Sequence, residues 1–113
     1  MSLIADTPKP PYYAVIFTST RTEGDHGYAT TADRMVELAS QQSGFLGIES
    51  AREEVGITVS YWSDLASIKK WKENVEHITA QKMGHKLWYG EFKVRISKVE
   101  RDYGGDLKPK SQT

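Results

Sequence analysis

The chain has 113 residues, no net formal charge and no cysteine. Its length suits a single domain, and its balanced charge argues against a dedicated nucleic-acid-binding protein, which usually has a basic excess. The lack of cysteine excludes disulfides, thiolate metal sites and cysteine nucleophiles. No apolar run approaches the roughly 20 residues of a membrane span, and residues 1–5 lack signal-peptide features, so we expect a cytoplasmic protein without membrane contact.

The chain begins with a segment that is predicted to be an extended arm, residues 1–11, because it contains Pro8, Pro10 and Pro11. Residues 12–22 are rich in β-branched and aromatic side chains and are predicted to form a strand. Apolar residues occupy both faces of this strand, with Tyr13, Val15 and Phe17 on one side and Tyr12, Ala14 and Ile16 on the other. A strand of this kind is usually central in its sheet and covered from both sides.

Residues 28–43 have the spacing of an amphipathic helix. Its apolar stripe consists of Tyr28, Ala32, Met35 and Ala39. Gly44 follows at a position typical of helix C-termini. Residues 46–53 and 57–62 then alternate apolar and polar side chains, and the short link between them predicts a hairpin in which Gly56 is free to adopt positive φ.

A second helix is predicted to begin after an N-cap at Asp64, or alternatively at Ser63, and to be interrupted at Gly84. Its apolar stripe consists of Leu65, Ile68, Trp71, Val75 and Ile78. Residues 91–101 alternate apolar and charged side chains and are predicted to form the last strand. The tail, residues 102–113, has little to bury and is expected to be flexible.

The resulting order of strands and helices is the split βαββαβ pattern of ferredoxin-like α+β domains, here spanning residues 12–101. Right-handed crossovers place both helices on one face of an antiparallel four-stranded sheet and make the first and third strands central. The other face is then too apolar to be left in water. We predict that a second identical chain covers it in a homodimer; the alternative is cover by the arm or tail of the same chain.

Four segments resemble the antibiotic biosynthesis monooxygenase family: GFLGIESAR (44–52), ITVSYW (57–62), WKENVEHITAQKMG (71–84) and WYGEFKVRISKVER (88–101). The resemblance covers about residues 12–101. It implies a dimeric α+β barrel with a small cavity between sheet and helices in each subunit. It also implies a cofactor-independent monooxygenase acting on a small aromatic metabolite of polyketide or quinol type. The alternative is a non-catalytic domain that binds a small ligand or acts in a stress response.

A haem-degrading branch of this family carries an asparagine, a tryptophan and a histidine, and this sequence departs from that pattern. Trp71 can correspond to the tryptophan, but Gln81 stands where the resemblance places the iron-ligating histidine, and Ser19 or Thr20 replaces the asparagine. Haem binding and degradation are therefore disfavoured, and no cofactor is expected. A metal site is not expected either, because His77 and His85 would lie about 12 Å apart along a helix.

The candidate catalytic base is His77, because imidazole exchanges protons near neutral pH. On a regular helix this residue lies opposite the apolar stripe and faces water, so it reaches a cavity only if the helix kinks or the following segment folds over it. The expected substrate-binding residues are Trp62, Trp71, Asn74, Gln81, Trp88 and Tyr89. Aromatic walls of this kind suit a planar ligand, although tryptophans also occur as core or interface residues.

Overall fold

The computed structural model describes residues 3–82 and 88–105, with the backbone alone for 78–82. The elements are β1 (Tyr12–Arg21), α1 (Tyr28–Ser40), β2 (Phe45–Arg52), β3 (Gly56–Trp62), α2 (Leu65–Lys82) and β4 (Tyr89–Val99). The predicted ferredoxin-like fold is confirmed. The predicted helix interruption at Gly84 and most of the predicted flexible tail lie outside the described residues. In the part of the chain that is described, no helix combines the length and apolarity needed to cross a membrane.

The four strands form one antiparallel sheet in the order β2-β3-β1-β4. β1 therefore lies in the interior of the sheet, as its two apolar faces predict. Tyr13 of β1 is opposite Trp62 of β3, and Val15 of β1 is opposite Ile96 of β4. Because paired residues point to the same side of a sheet, these side chains share one face.

Both helices pack on this face, which we call the helix face. Ala39 of α1 and Ile68 of α2 are buried against Trp62 of β3. The first turn of α2 is capped by Asp64, whose Oδ1 accepts a 2.7 Å hydrogen bond from the backbone N–H of Ser67. Leu65, predicted in the apolar stripe, is 54% exposed instead. It lies in the first turn of α2, about one turn before Ile68, which is the residue of this stripe that is buried against Trp62.

Two glycines have distinct structural roles. Gly44 adopts φ +87°, and a Cβ there would lie 2.2 Å from Ser67 Oγ. The left-handed conformation and the close approach both favour glycine. Gly56 does not adopt the positive φ that a turn residue could have, because it is already the first residue of β3. A Cβ at Gly56 would lie 2.1 Å from the guanidinium carbon of Arg52, so the missing side chain makes room for that arginine.

The opposite face of the sheet, which we call the open face, is partly covered by the N-terminal arm. The backbone N–H of Ala5 donates a 2.9 Å hydrogen bond to Glu49 Oε2, and Thr7 Oγ1 donates a 3.0 Å bond to the Tyr12 hydroxyl. The Tyr12 hydroxyl in turn donates to Asp102, just after β4. Cover by the same chain, the alternative to a dimer, is thus realised at this end of the sheet, while Ile57 on the same face stays 46% exposed.

Candidate functional site

The helix face carries two groups of aromatic side chains. The tryptophan cluster lies where β2 begins and β3 ends and consists of Phe45, Trp62 and Trp71. The tyrosine cluster lies where β1 ends and β4 begins and consists of Phe17, Tyr28, Trp88, Tyr89 and Phe92. Both clusters lie on the side of the sheet where the family resemblance implies a cavity between sheet and helices.

The tryptophan cluster is densely packed. Trp62 has no exposed surface, stacks on Trp71 with ring centroids 6.0 Å apart, and meets the edge of Phe45 at 5.4 Å. Its indole N–H donates a 2.9 Å hydrogen bond to Ser60 Oγ. Since the ring is enclosed and its polar atom is satisfied, Trp62 has the features of a core residue.

The tyrosine cluster is more open. Phe17 contacts Tyr89 at 5.2 Å and stacks on Phe92 at 5.8 Å, and Phe92 is 44% exposed. Tyr28, the first residue of α1, meets the edges of Trp88 and Tyr89 at 5.8 and 5.9 Å. Trp88 is buried, and its indole N–H donates a 2.9 Å bond to the backbone carbonyl of His26. A buried indole thus supports a half-exposed aromatic surface.

The electrostatic surroundings of Tyr89 favour its neutral form. Burial raises the pKa of the Tyr89 hydroxyl, and the adjacent Tyr28 side chain raises it further through charge interaction and a hydrogen bond. Arg52 and Arg21 oppose this pKa shift without cancelling it. At neutral pH Tyr89 is therefore a protonated phenol, which can donate a hydrogen bond to an oxyanion.

Two arginines lie at the same end of the helix face, and the sequence analysis did not identify them. The Arg21 guanidinium lies 3.6 Å from the centroid of the Tyr28 ring, and its Nε donates a 2.9 Å bond to the Trp88 carbonyl. Arg52 extends from the end of β2 and donates through Nη1 to the Ser19 carbonyl at 3.4 Å and through Nη2 to Ser19 Oγ. One sequence feature could have indicated Arg21. It follows Tyr13, Val15 and Phe17 at even spacing, so a strand places it on the same face as these side chains.

The residues predicted for substrate binding do not converge on one point. Trp62 and Trp71 lie in the tryptophan cluster, and Trp88 and Tyr89 in the tyrosine cluster. Asn74 is exposed on α2, where its Nδ2 donates to the Lys70 carbonyl at 3.2 Å and to Gln42 Oε1 at 3.5 Å.

The candidate base His77 is also exposed on α2, on the side that a regular helix predicts. The side chain of Gln81 lies outside the described residues. Among the residues that are described, no three histidine or carboxylate side chains converge as metal ligands would. The assigned roles of His77, Asn74 and Gln81 therefore stay predictions.

Comparisons of the sequence and of the structure with known proteins agree with the family resemblance and with the fold. A sequence model of the antibiotic biosynthesis monooxygenase family matches residues 11–83. The chain is 50% identical over 103 residues to the uncharacterized protein YqjZ of Bacillus subtilis (strain 168), covering 89% of this chain and 90% of that protein. Among solved structures, a variant of SnoaB, a cofactor-independent oxygenase from Streptomyces nogalater, aligns with a TM-score of 0.66 at 10% identity, covering 80% of this chain and 95% of that chain.

A second solved structure, PA3566 from Pseudomonas aeruginosa, aligns with a TM-score of 0.62 at 17% identity, over 85% of this chain and 99% of that one. At such low identities the two solved structures show a shared fold and no more. The fold is therefore one on which a cofactor-independent oxygenase is built, while the reaction has to be argued from the site.

Proposed function

The chain belongs to the antibiotic biosynthesis monooxygenase family, and from this premise we propose that it oxidises a small aromatic metabolite of polyketide or quinol type with molecular oxygen and without a bound cofactor. The tyrosine cluster is the observation that supports this proposal. Together with Arg21 and Arg52 beside it, this cluster brings a half-buried neutral phenol, two guanidinium groups and a half-exposed ring surface to one end of the helix face. These are the groups that a planar substrate with a developing negative charge requires.

The proposed reaction begins with loss of a proton from an activated ring carbon, as in an anthrone. The resulting carbanion transfers one electron to oxygen, and recombination of the two radicals forms a carbon–oxygen bond. The resulting peroxide anion takes up a proton from water, and loss of water from the hydroperoxide leaves a quinone, so one oxygen atom enters the product and the other leaves as water. The Tyr89 hydroxyl and the two arginines would stabilise the substrate oxyanion, because their dipoles and charges are already in place before the proton leaves.

His77 is the proposed base, since it is the histidine that the sequence places on α2, the helix of Trp71. Its exposed ring would accept the substrate proton and release it to solvent. Trp71, on the same helix, would form a wall for the ring system.

Oxygen uptake with 1,8-dihydroxyanthrone as the probe, corrected for the protein-free rate, tests this function. We expect uptake matched by quinone formation, a loss of about tenfold or more in kcat/KM for Tyr89→Phe, and no change for the exposed Glu37→Gln. Unchanged turnover in the double variant His77→Ala/Trp71→Ala would contradict the roles of those two residues. Absence of catalysed uptake with this and related phenols would contradict the oxygenase proposal.

A second candidate function, binding of a small ligand without catalysis, is favoured by the packing of Trp62 against Trp71 and by the exposure of His77. It predicts saturable binding of the same anthrone with no oxygen uptake above the protein-free rate. A hemin titration separates the haem alternative, because a specific site would shift the Soret band with a defined stoichiometry.

The open face supports the proposal of a homodimer. Ile57 is 46% exposed there, and Leu3 and Ile4 of the arm and Tyr103 after β4 are strongly exposed. A second copy would bury these exposed apolar side chains. Sedimentation equilibrium should give a dimer that Ile57→Glu weakens and that Val36→Glu, at 44% exposure on α1, leaves intact. A lone chain at high concentration would overturn the dimer and the barrel.

A further inference from the structure

We propose that Arg21 and Arg52 form an anion site that binds the carboxylate of a planar aromatic acid. This proposal rests on the proposed function, because it names the class of substrate that the same site would bind. A ligand with this chemistry would place its acid group at the end of the sheet and its rings along the helix face.

The position of Arg52 is built into three neighbouring strands. Arg52 and Ser19 are both paired with Gly56, so the three residues form one row across the sheet. The arginine side chain passes over Gly56, where a Cβ would lie 2.1 Å from its guanidinium carbon, and reaches Ser19. Ser19 is itself buried. The buried hydroxyl of Ser19 and the absence of a side chain at Gly56 thus hold the Arg52 guanidinium on the helix face.

Arg21 is held near the same point by a different set of contacts. It lies two residues after Ser19 on the same strand, and its Nε and Nη2 donate to the carbonyls of Trp88 and Gly24 at 2.9 and 3.2 Å. Its guanidinium covers the Tyr28 ring. Both arginines lie close enough to Tyr89 to lower the pKa of its hydroxyl. Two positive groups therefore converge on one phenol.

Neither arginine has a carboxylate partner within the described residues. The ion pairs found there are Arg34 with Glu37 and Lys72 with Glu76, both on helix surfaces. A guanidinium has five N–H donors, and each of these two arginines uses two of them in the contacts above. The remaining donors are suited to a planar carboxylate, which guanidinium groups bind through paired hydrogen bonds.

An apolar strip beside the arginines indicates that the anion is attached to a ring system. Phe92, Val94 and Ile96 follow one another on the helix face of β4, and each is close to half exposed. Together they extend about 13 Å from the arginine end, which accommodates fused rings lying flat on the strand. Inorganic anions would leave this strip unused, so an aromatic carboxylate fits both halves of the site.

The test compares 2-naphthoate with 2-naphthamide, which has the same shape but no charge, by calorimetric titration without oxygen. Neither probe carries a phenol that could be oxidised, so their binding is independent of the oxygenase proposal. We expect the wild-type protein to bind the acid at least tenfold more tightly than the amide. Arg52→Gln should remove about 10- to 100-fold of the acid affinity, and Arg52→Lys should remove less.

The matched control is Arg34→Gln, which removes the same charge from an exposed position on α1 and should leave both affinities within about twofold. Equal binding of acid and amide by the wild-type protein would overturn the inference. So would equal losses in Arg52→Gln and Arg34→Gln, which would indicate a general charge effect. If the acid binds selectively but no phenol is oxidised, the anion site stands and the oxygenase proposal fails.

Discussion

The two aromatic clusters lie on the same face of the same sheet, yet they differ in what surrounds them. The tryptophan cluster contains no ionisable side chain and encloses Trp62 completely. The tyrosine cluster includes two phenols, lies beside Arg21 and Arg52, and leaves Phe92 half exposed. Enclosed rings of the tryptophan cluster stabilise the fold, and the exposed, charged end is the one to which we assign binding.

The largest expected effect comes from truncating the enclosed ring. Trp62→Ala should lower the free energy of unfolding by about 3–5 kcal/mol, because it removes a fully buried indole and leaves a cavity. Phe92→Ala in the tyrosine cluster should cost about 1 kcal/mol, since half of its ring is already in water. Urea denaturation at one protein concentration measures both. Equal losses would remove the distinction between the clusters.

A second comparison tests which part of α2 supports the tryptophan cluster. Ile68→Ala should cost about 2–4 kcal/mol because Ile68 is buried against Trp62. Leu65→Ala should change stability by no more than about 0.5 kcal/mol, since this side chain is mostly in solvent. The same denaturation experiment applies. A large loss at Leu65 would show that a second chain or another segment covers it.

Gly56→Ala probes the tyrosine cluster without touching an aromatic ring. The new methyl group would occupy the space of the Arg52 guanidinium, which can move aside because it is the end of a flexible side chain. Stability should therefore change by less than about 1 kcal/mol, while affinity for 2-naphthoate should fall several-fold. Gly105→Ala, where a Cβ would meet open space, is the control for binding. Unchanged naphthoate affinity in Gly56→Ala would show that the placement of Arg52 does not matter.

The smallest effect is expected in the dependence of stability on alkaline pH. The fold raises the pKa of Tyr89 above the value of about 10 for a free phenol, so it favours the neutral form. This contribution is fully present below about pH 10 and is lost as pH rises through the raised pKa. The pKa of Tyr61 on the open face is also raised, to about 12, first by burial and then by the hydrogen bond that its hydroxyl donates to Glu49. Its contribution to stability is lost in the same direction of pH.

Free energies of unfolding at about pH 8 and about pH 11 measure this loss. Tyr89→Phe should reduce the alkaline decrease, whereas Trp71→Phe should keep it, because no group of the tryptophan cluster ionises in that range. An alkaline decrease that is the same in wild type and Tyr89→Phe would contradict the burial of the Tyr89 hydroxyl.

Local sequence patterns determined most of the fold. The β-branched and aromatic run of β1, the alternation of β3, the helical spacing of α2 and the cap at Asp64 each depend on neighbours a few residues apart, and these two strands, the helix and the cap are present in the structure. The central position of β1 followed from its two apolar faces. Spacing alone did not determine two details: Leu65 is in the apolar stripe but 54% exposed, and Gly56 makes room for Arg52 without adopting positive φ.

The candidate site was decided by tertiary structure. Trp88 and Tyr89 were identified as aromatic residues near the end of the chain, but their partners Arg21 and Tyr28 come from β1 and α1, sixty or more positions earlier. Arg52 reaches Ser19 across a strand that neither residue belongs to. Sequence periodicity reports which face a residue occupies, because that depends on local backbone geometry. Which charges converge on that face depends on strand order and register, and these exist only once the chain has folded.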